Sequence, residues 1–210
     1  MPVPMQETGG ATLTDKPFAE SCAQNREPII AVLRDAFAEC RRVLEIGSGT
    51  GQHAVYFAPD LPHLVWQTAD VPQHHPGIRL WLAEAALPNV LHPLALDVND
   101  TAWHSGRYDA VFSANTLHIM SWLEVERFFE GVDAVLESGG VLAVYGPFNY
   151  NGTFTSDSNA RFDVWLKARD PASGVRDFEA VDALARAQGL ILQQDIAMPA
   201  NNRTLVWRRA

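Results

Sequence analysis

The 210-residue chain has the composition of one soluble globular domain, with 47% hydrophobic and 20% charged residues. Its formal net charge of −9 argues against a broad phosphate-binding face, so we expect a small-molecule substrate and no nucleic-acid partner. No apolar run approaches the roughly 20 residues of a membrane helix, and the N-terminus does not resemble a signal peptide. The only cysteines, Cys22 and Cys40, have no metal or redox spacing, which favours a cytoplasmic location.

The first elements along the chain predict a tail and a helix. Residues 1–14 are polar and predict a flexible N-terminal tail. Residues 21–26 then lead into a helix with Pro28 in its first turn, where proline is tolerated. Asn25 and Arg26 lie outside the apolar stripe of this helix, so we expect them to extend over a bound cofactor.

The most informative stretch is residues 43–58, which read VLEIGSGTGQHAVYFA. The first four residues predict a buried strand of a parallel sheet, and a helical pattern resumes at Gln52. Between them stand Gly47, Gly49 and Gly51, which permit positive φ angles and a close approach of the backbone to a ligand. Free backbone N–H groups at the start of the following helix can bind an oxygen-bearing ligand. Strand, glycine turn and helix together predict a cofactor site.

The residue types in the turn separate three cofactor classes. A P-loop ends in Gly-Lys-Ser/Thr, and this turn contains no lysine. A dinucleotide fingerprint requires glycine at the position of Gln52. The acidic Glu45 instead completes E-x-G-x-G-x-G, which resembles motif I of the class I S-adenosylmethionine-dependent methyltransferases. This resemblance implies S-adenosylmethionine as the cofactor, bound by Glu45, Gly47, Ser48, Gly49 and Gly51.

Acidic residues end the next two predicted strands. Residues 64–68 predict a strand closing on Asp70, at the offset where an acidic residue accepts hydrogen bonds from ribose hydroxyls. Residues 90–96 predict a strand ending at Asp97, where the methyltransferase pattern implies contact with the adenine amino group. The resemblance gives Val98 an apolar or backbone contact with the same base. Asp70 could also cap a helix, and Asp97 could belong to a plain turn.

His74 and His75 are adjacent and suggest a metal site. Pro76 follows them and the sequence offers no matching pair of ligands, so we interpret them as part of a loop and expect no metal.

The second half of the chain predicts more strands of the sheet. Residues 108–115 form a strand whose end, Asn115, falls at the carboxyl edge, where ligands bind in open α/β sheets. We therefore expect Asn115 to contact the cofactor. Gly139 and Gly140 close the next helix, and residues 141–145 form another strand. Two final strands, residues 190–197 and 203–208, form a hairpin.

Residues 147–175 interrupt the alternation of strands and helices. This segment is polar and aromatic, with a helix near residues 158–168, and it follows a strand at the carboxyl edge. Long excursions at such an edge tend to be lids or binding loops. We therefore expect a lid-like insertion that favours an apolar or aromatic acceptor.

The whole pattern predicts a Rossmann-like doubly wound α/β sheet of seven strands, mostly parallel with an antiparallel last strand. The resemblance implies a single methyltransferase domain over residues 15–210. Most closely, the chain resembles the uncharacterised domain-of-unknown-function family 938, which is called methyltransferase-like. The strand ends carry neither an Asn/Asp-Pro-Pro-Tyr/Phe signature nor a cysteine, which favours O-, N- or S-methylation of a small molecule.

The catalytic prediction concerns the ends of the fourth and fifth strands. His118 is the candidate general base because its unperturbed pKa is about 6.5, although a lone histidine after a strand often only bonds the backbone. Tyr150 or Asn149 would hold the nucleophile, beside Asn115. Two alternatives stay open: a non-catalytic sensor of S-adenosylmethionine or a nucleoside, and an NAD(P)-dependent reductase, which is disfavoured by the absence of a Tyr-x-x-x-Lys pair.

Overall fold

The computed structural model describes residues 16–101, 103 and 106–210, so the predicted tail lies outside the described residues. The helices are α1 (Glu20–Ala36), α2 (Gln52–Phe57), α3 (His75–Ala85), α4 (Trp122–Val135), α5 (Asp157–Arg169) and α6 (Phe178–Ala187). The strands are β1 (Arg42–Ile46), β2 (Val65–Asp70), β3 (Val90–Ala95), β4 (Tyr108–Ala114), β5 (Leu136–Asn149), β6 (Arg176–Asp177), β7 (Leu190–Met198) and β8 (Asn202–Arg209).

The strands form one sheet in the order β3-β2-β1-β4-β5-β8-β7, and the short β6 pairs with β5 outside this path. Strands β1 to β5 are parallel to one another, whereas β8 runs antiparallel to both β5 and β7. This confirms the predicted doubly wound sheet with an antiparallel last strand. The two-residue β6 is an addition to the seven strands that the sequence predicts.

Apolar side chains cover both faces of the sheet, because the central strands are buried on each side. Val43 of β1 faces the core beneath α1 and α2, whereas Leu44 and Ile46 face the core beneath α4 and α6. On the first face the rings of Phe57, Trp66 and Phe112 lie 5.7 to 6.0 Å apart between centroids, within the range of favourable aromatic contacts.

Two element boundaries differ from the sequence prediction. Helix α1 begins at Glu20, so Pro28 lies in its interior rather than in its first turn. Asn25 and Ile29, near Pro28 in the helix, are both buried, so tertiary packing surrounds the place where proline removes a backbone hydrogen bond. Helix α4 ends at Val135, because Leu136 already pairs with β4; Gly139 and Gly140 therefore lie within the assigned span of β5.

The cluster of Phe57, Trp66 and Phe112 allows a prediction of how much stability is lost when one of its rings is removed. Phe112→Ala should lower the free energy of unfolding by about 3–5 kcal/mol, because the fully buried ring leaves a cavity between Phe57 and Trp66. Urea denaturation measures the change. Ile191→Ala, at a side chain that is 56% exposed, should stay within about 0.5 kcal/mol, and an equal effect of both variants would contradict the prediction.

Candidate cofactor site

A cavity of about 740 Å³ opens at the carboxyl edge of the sheet, above β1 and the two strands β2 and β4 that flank it. This is the switch point of the topology, where open α/β sheets bind ligands. The segments that follow β1, β2, β3 and β4 line the cavity, together with residues before and within the first turn of α1. The residues predicted for a cofactor that lie in its wall are Gly47, Ser48, Gly49, Asp70, Asp97, Val98 and Asn115.

The glycine turn has the left-handed backbone that its sequence predicts. Gly47, Gly49 and Gly51 have φ angles of 74°, 58° and 87°. At Gly47 a Cβ atom would lie 2.3 Å from the Thr116 methyl carbon, so the turn packs directly against the segment after β4. A Cβ on Gly49 would meet no atom within 4 Å, which shows that this residue borders open space.

Glu45 lies behind the turn rather than in the cavity wall. Its side chain is 1% exposed and accepts hydrogen bonds from the Ser48 hydroxyl and the Trp66 indole N–H, both at 3.0 Å. Ser48 Oγ in turn accepts the Ala69 amide at 3.1 Å, which links the turn to β2. Burial raises the pKa of Glu45 to about 7 against the opposing effect of these two donors.

Asp70 is held by four groups. One carboxylate oxygen accepts the Gly49 amide at 2.6 Å, and the other accepts the Val71 amide and lies 2.7 Å from His74 Nδ1. His75 Nε2 lies 2.9 Å from the Asp70 carbonyl oxygen. The two histidines therefore orient Asp70. Across the described residues no cluster of three His, Cys, Asp or Glu side chains forms a metal site.

The other predicted contacts surround the same cavity. Asp97 accepts the backbone and side-chain N–H groups of Asn99 at 2.9 and 3.0 Å, and Val98 beside it is buried. Asn115 has a φ of 59°, a conformation that asparagine tolerates better than most residues. The backbone amide of Asn115 donates to the Tyr145 carbonyl at 2.9 Å, which fixes the segment after β4 to β5.

Gly51 and Arg26 lie outside the cavity wall. Gly51 precedes α2 and packs against Ile78, so it positions the helix rather than a ligand. Arg26 is exposed, with its guanidinium carbon 4.3 Å from the centroid of the Tyr56 ring.

The three predicted catalytic residues do not line the cavity either. His118 is 6% exposed and packs edge-on against Phe162, and burial with the nearby Arg176 lowers its pKa to about 4. Asn149 donates to the Val175 carbonyl, and the Tyr150 hydroxyl donates to Asp195 at 2.8 Å. None of the three therefore shares the cavity wall with Asn115, and their catalytic role stays a prediction from the sequence.

Several residues in the wall were not predicted. His53, on the first turn of α2, is 5% exposed and its Nε2 lies 2.8 Å from Asn25 Oδ1. Burial lowers the pKa of His53 to about 4, so the imidazole is neutral at pH 7. The sequence signal that could have identified His53 as a wall residue was its position directly after the glycine turn. The remaining unpredicted wall residues include Pro17, Cys22, Thr116, Met120 and Asp170.

The charges of the lining are of one sign. Its carboxyl groups come from Asp70, Asp97, Glu124 and Asp170, and no lysine or arginine of the described chain lines the cavity. Such a lining favours neutral or cationic ligands over polyanions.

The arrangement of sheet, turn and cavity is that of the class I methyltransferase fold, and comparison with solved structures agrees. An O-methyltransferase family protein from Burkholderia thailandensis has a TM-score of 0.80 at 17% identity, covering 91% of this chain and 58% of that chain. An O-methyltransferase family 2 protein from Planctomyces limnophilus, solved in complex with apigenin, has a TM-score of 0.81 at 13% identity, with coverages of 91% and 58%. PigF, solved with SAH, has a TM-score of 0.76 at 16% identity, with coverages of 90% and 56%.

At these identities the similarity establishes the fold, and the chain spans little more than half the length of these proteins. The chain belongs to the family described as "Protein of unknown function (DUF938)", whose family model matches residues 16–209. The match confirms the resemblance seen in the sequence.

The buried carboxyl group of Glu45 predicts a pH dependence of stability. Its folded-state pKa of about 7 exceeds the ordinary 4.5, so its stabilising contribution is complete below pH 4.5 and is lost as the pH rises through 7. Glu45→Gln removes this titration. Relative to that variant, the wild type should lose on the order of 1–3 kcal/mol of unfolding free energy across this range.

Urea denaturation of both proteins at several pH values measures this difference. Glu130→Gln, at an exposed glutamate, is the matched control and should follow the wild type throughout. Parallel pH profiles for the wild type and Glu45→Gln would contradict the raised pKa.

Proposed function

We propose that the protein is an S-adenosylmethionine-dependent methyltransferase that acts on a small-molecule acceptor. The observation that carries the proposal is the cavity at the switch point, where a glycine turn, Asp70 and Asp97 meet in an acidic lining. The solved structures that share the fold are named as methyltransferases, which supports the same reaction class.

The residues of the cavity fit this cofactor. Asp70, held by the Gly49 amide and His74, would accept the ribose hydroxyls, and Asp97 would accept the adenine amino group. Val98 and Leu96, which line the cavity, would give the base an apolar contact. S-Adenosylmethionine is a sulfonium cation with a free amino group, so it suits a cavity lined by carboxylates.

NADP fits the cavity less well. Its pyrophosphate and 2′-phosphate require cationic side chains or a run of free backbone N–H groups. The described lining offers no lysine or arginine, and the Gly49 amide is already bound to Asp70. These observations disfavour the reductase alternative.

When bound, S-adenosylmethionine supplies an electrophilic methyl group on sulfur, which an acceptor displaces in line. The chain's own task is then to orient the acceptor, and such orientation contributes about 7–11 kcal/mol to lowering a reaction barrier. Asn115 offers a carboxamide at the cavity wall for this purpose, and neutral His53 lines the same wall. The acidic lining supports a neutral or cationic acceptor of the O-, N- or S-nucleophile class.

A second candidate function is a non-catalytic sensor of S-adenosylmethionine. It is favoured by the burial of His118 and by the hydrogen bonds that hold Asn149 and Tyr150 outside the cavity. Methyl transfer to any acceptor in a screen of small molecules would decide against it.

None of the described helices has the combined length and apolar character that crossing a membrane requires.

Binding of S-adenosylhomocysteine, the product of methyl transfer, tests the proposal. Isothermal calorimetry should show binding of S-adenosylmethionine and S-adenosylhomocysteine and none of NADP. Binding of NADP alone would contradict the proposal.

A substitution at the turn tests where the cofactor lies. Gly49→Val places a side chain in the open space of the cavity and should abolish S-adenosylhomocysteine binding in a folded protein. Gly139→Val is the matched control, because Gly139 also has a positive φ (76°) and no atom near its Cβ position, but lies outside the cavity. Both variants carry the same kind of backbone strain. Loss of binding in both, or in neither, would contradict the assignment.

A further inference from the structure

Residues 16–19, which we call the N-terminal strap, cross the outer side of the cofactor cavity before α1 begins. The strap belongs to neither a helix nor a strand. Pro17 and Ala19 nevertheless line the cavity, as do Ser21 and Cys22 at the start of α1. The family match also begins at Lys16. The strap is therefore one wall of the site.

Side chains of α3 hold the first part of the strap. The Trp81 indole N–H donates to the Pro17 carbonyl at 2.6 Å, and the Lys16 ammonium lies 3.6 Å from the Trp81 ring centroid. Lys16 also pairs with Glu84 at 2.6 Å. A Cβ on Gly77 would lie 2.5 Å from the Pro17 ring, so the strap approaches α3 as closely as a glycine allows.

Gln52 holds the end of the strap. Its side-chain oxygen accepts the Ala19 amide at 2.6 Å and the Thr50 hydroxyl at 2.9 Å. Gln52 is 7% exposed and occupies the position where a dinucleotide fingerprint has its third glycine. The glutamine side chain at this position therefore links the strap to the glycine turn.

The contacts of the strap are few and lie near the surface. Neutral hydrogen bonds each contribute little net stability in water, and exposed ion pairs such as Lys16–Glu84 contribute less. Phe18, in the middle of the strap, is 61% exposed. Segments with so few buried contacts open at a low free-energy cost while the rest of the fold stays intact.

We propose that Gln52 and Trp81 are positioning residues that hold the N-terminal strap as a wall of the cofactor cavity, so that cofactor enters and leaves when the strap opens. This inference rests on the proposed function for the identity of the ligand. The strap slows dissociation of bound S-adenosylhomocysteine without touching the reacting atoms.

Two deletions test the proposal with S-adenosylhomocysteine as the probe. Deleting residues 2–18 removes the strap except for Ala19 and should raise both the dissociation constant and the dissociation rate at least tenfold. Deleting residues 2–15 leaves the strap in place and should change neither. Calorimetry and stopped-flow displacement measure the two quantities, and circular dichroism checks that each protein is folded.

Point variants separate anchoring from a general loss of stability. Trp81→Phe removes the N–H donor to Pro17 but keeps an aromatic ring, and should speed dissociation several-fold. Leu80→Ala, a neighbouring truncation on α3 at a side chain that is 38% exposed, is the control and should leave the rate unchanged.

The outcomes distinguish this inference from the function on which it rests. If the full chain binds no S-adenosylhomocysteine, the proposed function fails. If the full chain binds it, and deletion of residues 2–18 alters neither affinity nor rate, the strap inference is overturned and the proposed cofactor stands. Equal weakening by both deletions would assign the effect to residues before Lys16 and would also overturn it.

Discussion

The hydrogen bonds accepted by the buried carboxyl group of Glu45 are the interactions on which the candidate cofactor site depends. Glu45 accepts hydrogen bonds from the Ser48 hydroxyl and the Trp66 indole, and Ser48 Oγ accepts the Ala69 amide of β2. One side chain therefore connects β1, the glycine turn and β2. A carboxyl group without water is costly unless donors surround it. Two donors compensate Glu45 only in part, which is why its pKa rises to about 7. The acidic residue of the motif therefore holds the glycine turn in place through Ser48, from a buried position outside the cavity wall.

The turn in turn positions Asp70. The amide of Gly49 points at the Asp70 carboxylate because the left-handed backbone of the turn directs it there, and the two histidines after β2 complete the support. Asp70, which lies in the cavity wall, thus has several supporting contacts. Such support holds a binding group in one orientation before the ligand arrives, which lowers the entropic cost of binding.

The segment of residues 147–175, predicted to be a lid-like insertion, is fixed to the rest of the fold at its C-terminal end. Its last residues pack on the segment after β4: Ser173 donates to the Ile119 carbonyl at 2.6 Å, and the Gly174 amide donates to the His118 carbonyl at 2.9 Å. Asn149 holds the neighbouring Val175. The His118 carbonyl and the Asn149 side chain thus hold the end of this segment, whereas the Tyr150 hydroxyl binds Asp195 of β7. Asp170 brings one carboxyl group of the segment to the cavity wall.

The fold class, the strand that carries the glycine turn and the order of the acidic strand ends could be predicted from the sequence, because these follow from local periodicity and spacing along the chain. The position of Asp70, Asp97 and Asn115 at one edge could also be predicted, since the carboxyl ends of parallel strands meet there. The directions in which the side chains point could not be predicted in this way. Glu45 turns inward to Trp66, His118 is buried against Phe162, and Gln52 meets Ala19 from 33 positions earlier in the chain. These outcomes depend on contacts between residues far apart in sequence, which no local pattern records.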